Sequence, residues 1–427
     1  MKNVFICIAC FLVMSALVSA QQPLTLTVEE CYKKAENNYP LIKQYDLITC
    51  SREYTLENLS KSWFPQISLN GQATYQTEVT EIPIDFSTVQ IPVEMDEMSK
   101  EQYKATIDIS QMVWDGGATK AQKQLTVLES EVEMLQNTVT IYSIRESINQ
   151  LYFGLLGIND QLILLELNKE NIKTNRTVVQ SMFNNGNAVQ SDIDLLDVEL
   201  LDIEQKQVEQ TTLKQAYLKM LSLFIKEKLD EHSRLIKPTL QSNIFSIPIQ
   251  RTELDLYNVQ LDMYDKQERT VTAKNMPVIN VFAQGGYGRP GLNMMSNKFS
   301  FFAMGGVKLT WNFGNLYTRK NDLRLIKNSK DNILVQQEIF LFNANQQLTK
   351  EQAEIDKLHT LIERDSDIIR LRIRIREAGE SKYKNGVYQI NELIRDINNE
   401  SSAKQTKAFR EIQHLQSIYN YKYLKGN

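Results

Sequence analysis

Two stretches of the sequence resemble each other, WFPQISLNGQATYQ at residues 63–76 and NMPVINVFAQGGYG at residues 275–288. At an offset of 212 positions the following pairs match: Pro65 with Pro277, Ile67 with Ile279, Leu69 with Val281, Gln72 with Gln284 and Tyr75 with Tyr287. Two later blocks repeat at an offset of 200, residues 107–110 with 307–310 and residues 181–186 with 381–386. Three blocks in the same order indicate an internal duplication. Because the offset falls by twelve, the first half is expected to contain a longer connection, near residues 78–102.

Four segments alternate apolar and polar residues, at about 66–77, 103–114, 278–287 and 299–313. A period of two predicts a β-strand, and a tilted strand of this length can cross a bilayer. In the last segment Phe302 and Met304 interrupt the polar face. A sheet in water with one wet face would show the same alternation. The alternation alone therefore does not show whether these strands lie in a membrane.

Aromatic residues mark the junctions between the predicted strands and helices. All three tryptophans, Trp63, Trp114 and Trp311, lie at such junctions, and Phe313 follows the last of them. In an up-and-down topology these junctions share one side of the sheet, and indole rings prefer the interface of a membrane. Four strands in one chain also leave open edges, which hydrocarbon does not tolerate because backbone groups there stay unpaired. Both arguments favour transmembrane strands that are closed between several chains.

The rest of each half is predicted to form very long helices. The chain has only 16 Gly and 9 Pro among 427 residues, with no Pro between positions 93 and 237 or after 290. A helix from Asp115 to Phe183 would be about 100 Å long. Its apolar residues follow a heptad spacing, Leu125, Leu128, Val132, Leu135 and Val139. We expect it to pack against the helix after Asn185-Gly186, and the second half to repeat this from Leu316 to Tyr383 and from Ile390 to Tyr423.

Residues 370–376 read Arg-Leu-Arg-Ile-Arg-Ile-Arg and alternate strictly, which locally predicts a strand. The duplicated copy has a helical pattern, so we predict a helix here as well. Its arginines could form salt bridges or a solvated face, or they could form a docking surface for an acidic partner.

These patterns divide the chain into four parts: a signal peptide at 1–20, a first repeat at 21–223, a linker at 224–250 and a second repeat at 251–427. The signal peptide is predicted from Lys2, an apolar run and small residues before Gln21.

The small negative net charge argues against nucleic acid as a partner. Three histidines and the absence of a nucleophile, phosphate or metal motif argue against an enzyme, and no cofactor is expected. Cys31 and Cys50 are expected to be packed thiols rather than a disulfide.

Several motifs resemble the TolC-like outer-membrane efflux proteins, also called outer membrane factors. The motifs are residues 24–30 with residues 37–40, Trp63 to Ile67, Trp114 to Gly117, Trp311 to Gly314 and Tyr383 to Gly386. The resemblance implies a mainly α fold with a small β part. Long helical hairpins would form a periplasmic helical barrel, and four transmembrane strands per chain would join a trimeric, twelve-stranded outer-membrane β-barrel. It also implies a homotrimer that meets outer-membrane lipid, a periplasmic adaptor (membrane fusion) protein and an inner-membrane pump of the RND or ABC type.

The resemblance further implies acidic residues around a periplasmic aperture, after the helical turns at Gly186 and Gly386. Glu392 stands six residues after Gly386, and Asp192 stands six after Gly186. Arg395 departs from the acidic pattern of the family, and Asp396 follows it; in the first repeat Asp194 lies close to Asp192. Acids at the start of a helix also suit its dipole without any role in a channel.

The sequence therefore predicts a trimeric outer-membrane channel, the exit duct of a tripartite efflux or type I secretion system. It would export small molecules or proteins passively, driven by the inner-membrane pump. The alternative is a soluble periplasmic coiled-coil scaffold or adaptor protein.

Overall fold

A computed structural model of the chain describes residues 25–79, 98–231, 233–239, 245 and 247–426. The predicted signal peptide lies outside the described residues, as do parts of the linker and most of the longer connection near residues 78–102. Among the described residues, no helix combines the length and the apolar character that a membrane span requires.

Long helices make up most of the described chain. The helices are α1 (Val28–Asn38), α2 (Lys43–Lys61), α3 (Ala118–Asn184), α4 (Gln190–Ile225), α5 (Thr252–Lys274), α6 (Asn315–Lys384) and α7 (Ile390–Lys425). The strands are β1 (Thr25–Leu26), β2 (Gln66–Tyr75), β3 (Glu101–Trp114), β4 (Arg234–Leu235), β5 (Val278–Arg289) and β6 (Ser300–Thr310). The mainly α fold with a small β part is confirmed.

The bounds of these elements repeat at the offsets found in the sequence. Helix α4 begins at Gln190 and α7 at Ile390, and their last residues, Ile225 and Lys425, are also 200 positions apart. The first strands of the two hairpins, β2 and β5, begin at Gln66 and Val278, which are 212 positions apart. These equal offsets support the duplication.

Strands β2, β3, β5 and β6 form one sheet in that order, and all neighbours are antiparallel. Each half supplies one hairpin, and the pairing of β3 with β5 joins them, with Asp108 opposite Gln284. Within the described residues, β2 and β6 pair along one side only. The sheet of a single chain is therefore open at two edges.

The chain consists of two compact units. The first contains residues 25–44, 136–254 and 338–426, and the second contains residues 45–135 and 255–337, as far as these are described. The core of the first unit is built around Tyr152 and Phe153, whose side chains are fully buried. The Tyr152 hydroxyl lies 2.8 Å from the carbonyl oxygen of Leu26 and 2.7 Å from that of Ile236. It holds the parallel pair of β1 and β4, which the sequence analysis did not predict.

Arg251, just before α5, is a second anchor of the first unit. Only 8% of it is exposed, and its guanidinium makes a forked pair with the Glu253 carboxylate. The guanidinium carbon lies 4.9 Å from the ring centroid of Tyr142 and 4.7 Å from that of Tyr423. A buried charge needs such compensation, and here it links the first residue of the second repeat to α3 and α7.

Several predicted bounds need correction. Helix α3 begins at Ala118 and not at Asp115, because the Asp115 carboxylate accepts hydrogen bonds from the backbone N–H of Gly117 at 2.8 Å and of Thr119 at 2.6 Å. Strand β6 ends at Thr310 and not at residue 313. Helix α4 runs to Ile225, two residues into the predicted linker.

The segment that contains both cysteines is broken into two helices. A short 3-10 turn, Pro40–Ile42, separates α1 from α2, since proline cannot donate a backbone hydrogen bond within a helix. Both thiols are free, but only Cys31 is buried. The prediction of a packed thiol is wrong for Cys50, which is exposed.

We expect the two thiols to react at very different rates. Burial raises the pKa of the Cys31 thiol to about 12, so almost none of it is thiolate at neutral pH, and the thiolate is the nucleophile. The predicted signal peptide carries Cys7 and Cys10, so the mature chain is used. With N-ethylmaleimide, the folded Cys31→Ser variant should be labelled once, at Cys50, and the folded Cys50→Ser variant should stay unlabelled until it is denatured. Rapid labelling of the folded Cys50→Ser variant would contradict the burial of Cys31.

Candidate functional site

The two helical turns at Asn185-Gly186 and Asn385-Gly386 have the same geometry. Gly186 has φ +75° and Gly386 has φ +72°, the left-handed conformation that glycine adopts without strain. In the first turn, Gly186 N–H donates to the Phe183 carbonyl at 2.9 Å and Asn187 N–H donates to the Met182 carbonyl at 2.8 Å. The second turn makes the equivalent bonds. This pattern ends α3 and α6 as a Schellman motif.

The candidate acids that follow each turn act as helix caps. The Asp192 carboxylate accepts a hydrogen bond from Val189 N–H at 3.2 Å, and the Glu392 carboxylate accepts one from Gln389 N–H at 3.3 Å. Each acid satisfies a backbone donor that has no partner within the helix and lies where the helix dipole favours a negative charge. The dipole explanation of these residues therefore has direct structural support.

The other two candidate acids differ in exposure. Asp194 is exposed and accepts a hydrogen bond from the Gln190 side chain at 2.8 Å. Asp396 is only 6% exposed, and its carboxylate accepts a hydrogen bond from the Tyr388 hydroxyl at 2.8 Å. That bond raises the pKa of Tyr388. The geometry at Asp396 favours a packing role within the second hairpin.

The helices after both turns share one apolar cluster. Its buried residues include Ile193 and Leu196 from α4 and Leu393 and Ile397 from α7. Burial together with the charge of Asp192 raises the pKa of Tyr383, so the first hairpin influences a residue of the second. The turns and their acids are therefore supported by a common core.

The run of arginines, residues 370–376, lies within α6, so the predicted helix is confirmed. Arg376 donates to the buried Glu400 carboxylate at 2.6 Å and to Glu380 at 2.6 Å. Arg370 pairs with the exposed Asp367. Arg372 and Arg374 form no ion pair among the described residues. Part of the run therefore serves salt bridges within the chain, while a docking role stays a prediction.

One face of the four-stranded sheet is apolar and exposed. Leu69 is 79% exposed and Phe301 is 85% exposed. The register places the apolar side chains of neighbouring strands opposite one another, Ile67 with Ile109, Leu69 with Ile107, Val281 with Val307 and Ile279 with Leu309. An apolar surface that spans all four strands is unusual for a protein in water.

The tryptophans lie at one end of this sheet. The register pairs Gln66 with Ser110 and Ile279 with Trp114, so the start of β2, the end of β3 and the end of β6 coincide. Trp114 and Trp311 are about half exposed, and the Trp311 Nε1–H donates to the Asn275 carbonyl at 3.1 Å. The rings of Trp311 and Phe313 are 4.8 Å apart. Half-exposed aromatic rings, with the indole donor of Trp311 satisfied, suit a membrane interface.

The opposite face of the sheet contains a polar network around Asp108. Its carboxylate accepts hydrogen bonds from Asn70 Nδ2 at 2.6 Å, from Thr106 Oγ1 at 2.9 Å and from Gln284 Nε2. These residues come from β2, β3 and β5. The polar alternation predicts this face of the sheet but not the network, since Asp108 and Gln284 are 176 positions apart.

The fold is that of known outer-membrane channels. The Campylobacter jejuni CmeC outer membrane channel superposes with a TM-score of 0.65 and 14% identity, over 93% of this chain and 85% of that chain. The outer membrane protein VceC of Vibrio cholerae gives 0.67 and 11% identity, over 93% and 96%. The open Neisseria gonorrhoeae MtrE outer membrane channel gives 0.64 and 12% identity, over 93% and 88%.

No family model and no curated protein sequence matches the chain. The chain nevertheless has the fold of these channels over nearly its whole length. The resemblance to the TolC-like proteins that the motifs indicate is confirmed at the level of the fold.

The acids after the first turn allow a test of the capping role. Asp192→Ala removes the bond to Val189 N–H and should lower the stability of the start of α4 by roughly 0.5–1 kcal/mol. Asp194→Ala removes an acid two residues away that bonds only a side chain, so its effect should be clearly smaller. Amide hydrogen exchange of residues 189–192 measures the difference directly. Equal protection in the two variants would show that Asp192 does not act as a cap.

Proposed function

We propose that this chain forms an outer-membrane channel, the exit duct of a tripartite efflux or type I secretion system. The observation that carries the proposal is the open sheet with one apolar and one polar face. The function is passive transport of small molecules or proteins, and the driving force comes from an inner-membrane pump. No chemical step is assigned to this chain.

The apolar face is the argument for a lipid environment. Exposed side chains such as Leu69, Phe301 and Val307 cost free energy in water and gain it in hydrocarbon. Strands of 10 to 14 residues match the length that a tilted strand needs to cross a bilayer. The aromatic residues at one end of the sheet then lie at the membrane interface. We therefore place the protein in the outer membrane, with its helices extending into the periplasm.

The open edges are the argument for a homotrimer. Backbone donors and acceptors along β2 and β6 must find partners in hydrocarbon, and further copies of the same sheet supply them. Two copies give a barrel of eight strands, and side chains fill the interior of a barrel of that size. Three copies give twelve strands, which leave room for a lumen. The polar face around Asp108 would line that lumen.

Exposed apolar residues of the helices agree with contacts between copies. Leu201 and Val208 of α4 are 60% and 67% exposed, and Phe342 of α6 is 69% exposed. Such positions in a helix are covered when neighbouring subunits pack side by side. A periplasmic adaptor protein and an inner-membrane pump of the RND or ABC type complete the system, as the family resemblance implies.

The helical turns supply the candidate aperture of this channel. Asp192, Asp194 and Glu392 contribute carboxylates that are at least partly exposed, and a ring of carboxylates at a constriction attracts cations. Capping is compatible with a place in such a ring, because a carboxylate has further lone pairs that the single backbone bond leaves free. Asp396 contributes less to such a ring, since its carboxylate is buried against Tyr388.

The alternative, a soluble periplasmic scaffold, predicts a different response to charge on the sheet. Leu69 and Gln72 are both exposed residues of β2, on its apolar and polar faces. In a bilayer, Leu69→Arg costs about 2–4 kcal/mol if the residue faces lipid near the midplane, whereas Gln72→Arg faces water in either case.

We therefore expect the wild type and Gln72→Arg to fractionate with the outer membrane and to form ion-conducting channels in planar lipid bilayers. Leu69→Arg should be strongly depleted from the membrane fraction. Equal amounts of the two variants in the membrane fraction, together with extraction of the wild type without detergent, would support the scaffold instead.

A further inference from the structure

The carboxylate of Asp108 is fixed by donors from three strands but carries no compensating cation. Asn70, Thr106 and Gln284 donate to it from β2, β3 and β5. All three donors are neutral, and Asp108 forms no ion pair among the described residues. Hydrogen bonds from neutral groups orient a carboxylate without cancelling its charge. The sheet therefore presents one immobilised negative charge per chain.

The nearest base on the same face, Lys104, forms no ion pair with Asp108 among the described residues. Lys104 stands four residues before Asp108, about 13 Å between the two Cα atoms, and its charge still acts on the carboxylate through space. Its Nζ lies 4.9 Å from the ring centroid of Phe302 instead. Lys308 stands on β6, two strands away from Asp108.

Three apolar side chains lie on the same face of the sheet as Asp108, beyond its polar partners. Gln284 on β5 is the register partner of Asp108 on β3. Met304 on β6 is in turn the register partner of Gln284. Paired residues form rows across the strands, and the two rows next to that of Asp108 on the same face contain Phe302 and Phe282. Phe302 is paired with Gly286, and Phe282 is paired with Ser110. Met304 is 44% exposed. Phe302 and Met304 are the two residues that interrupt the polar alternation of β6.

We infer that Asp108, together with Met304 and Phe282, forms a subsite that selects cations with an apolar body during passage through the strand-built part of the channel. The inference rests on the proposed function, because it requires the polar face to line the lumen. A fixed carboxylate attracts the charge, and the Phe282 ring on the next strand and the Met304 thioether two strands away, about 10 Å across the sheet, contact the apolar part. In a trimer three such subsites would lie at one level of the lumen.

Reversal potentials in a KCl gradient across a planar bilayer test the charge. Asp108→Asn should lower the permeability ratio of K⁺ to Cl⁻ at least about twofold, since three negative charges leave the lumen. Lys104→Gln should raise the ratio, because it removes a positive charge from the same face. Glu101→Gln, on the opposite face of β3, is the matched control and should leave the ratio unchanged.

Block of the current by tetraphenylphosphonium, a cation enclosed in phenyl rings, tests the apolar part. Asp108→Asn and Met304→Gln should each weaken the block at least about threefold, but only Asp108→Asn should also change the ratio of K⁺ to Cl⁻. A wild type that forms no channel would overturn the proposed function itself. Channels whose ion ratio is the same in wild type, Asp108→Asn and Lys104→Gln would overturn the subsite alone. If Asp108→Asn does not assemble, an unchanged block by tetraphenylphosphonium in Met304→Gln overturns the subsite.

Discussion

The backbone groups along the outer edges of β2 and β6 set the main constraint on this molecule. Within the described residues each of these strands pairs on one side only, and the sheet between them exposes an apolar face. In water that face is unfavourable, and in hydrocarbon the edges are unfavourable. Both costs vanish together only if the sheet enters a bilayer and its edges are closed by other copies. The membrane location and the oligomer of the proposed function are therefore one requirement and not two.

The helical part depends on the same duplication that builds the sheet. Because α4 and α7 keep the same length and their preceding turns keep the same Schellman geometry, the two hairpins present equivalent caps and acids. Their shared apolar cluster holds the turns in place. Ion pairs such as Arg376 with Glu400 link the two helices of a hairpin. The second hairpin also differs from the first, because Tyr388 binds Asp396 there.

Local patterns predicted the elements of this fold well. The period of two located the four long strands, and the Asn-Gly pairs located both helical turns. The duplication correctly favoured a helix over residues 370–376, where local alternation favoured a strand. In each case the signal lies within a short window or in its repeated copy. The family motifs then predicted the fold that the structure comparisons confirm.

Contacts between distant residues could not be predicted in the same way. The parallel pair of β1 and β4 has only two residues in each strand, too few to show a period. The bond between Asp108 and Gln284 depends on the order of the strands, and the burial of Asp396 depends on how α7 packs against Tyr388. Cys50 was predicted to be a packed thiol and is exposed. Burial depends on the whole fold, whereas alternation depends on the segment alone.

The closure of the sheet by other copies is the central claim, and native mass spectrometry of the detergent-extracted protein tests it most directly. We expect a complex of three chains that survives in detergent. A single-chain mass under the same conditions would contradict the account, because the edges of β2 and β6 would then have no partner in the membrane.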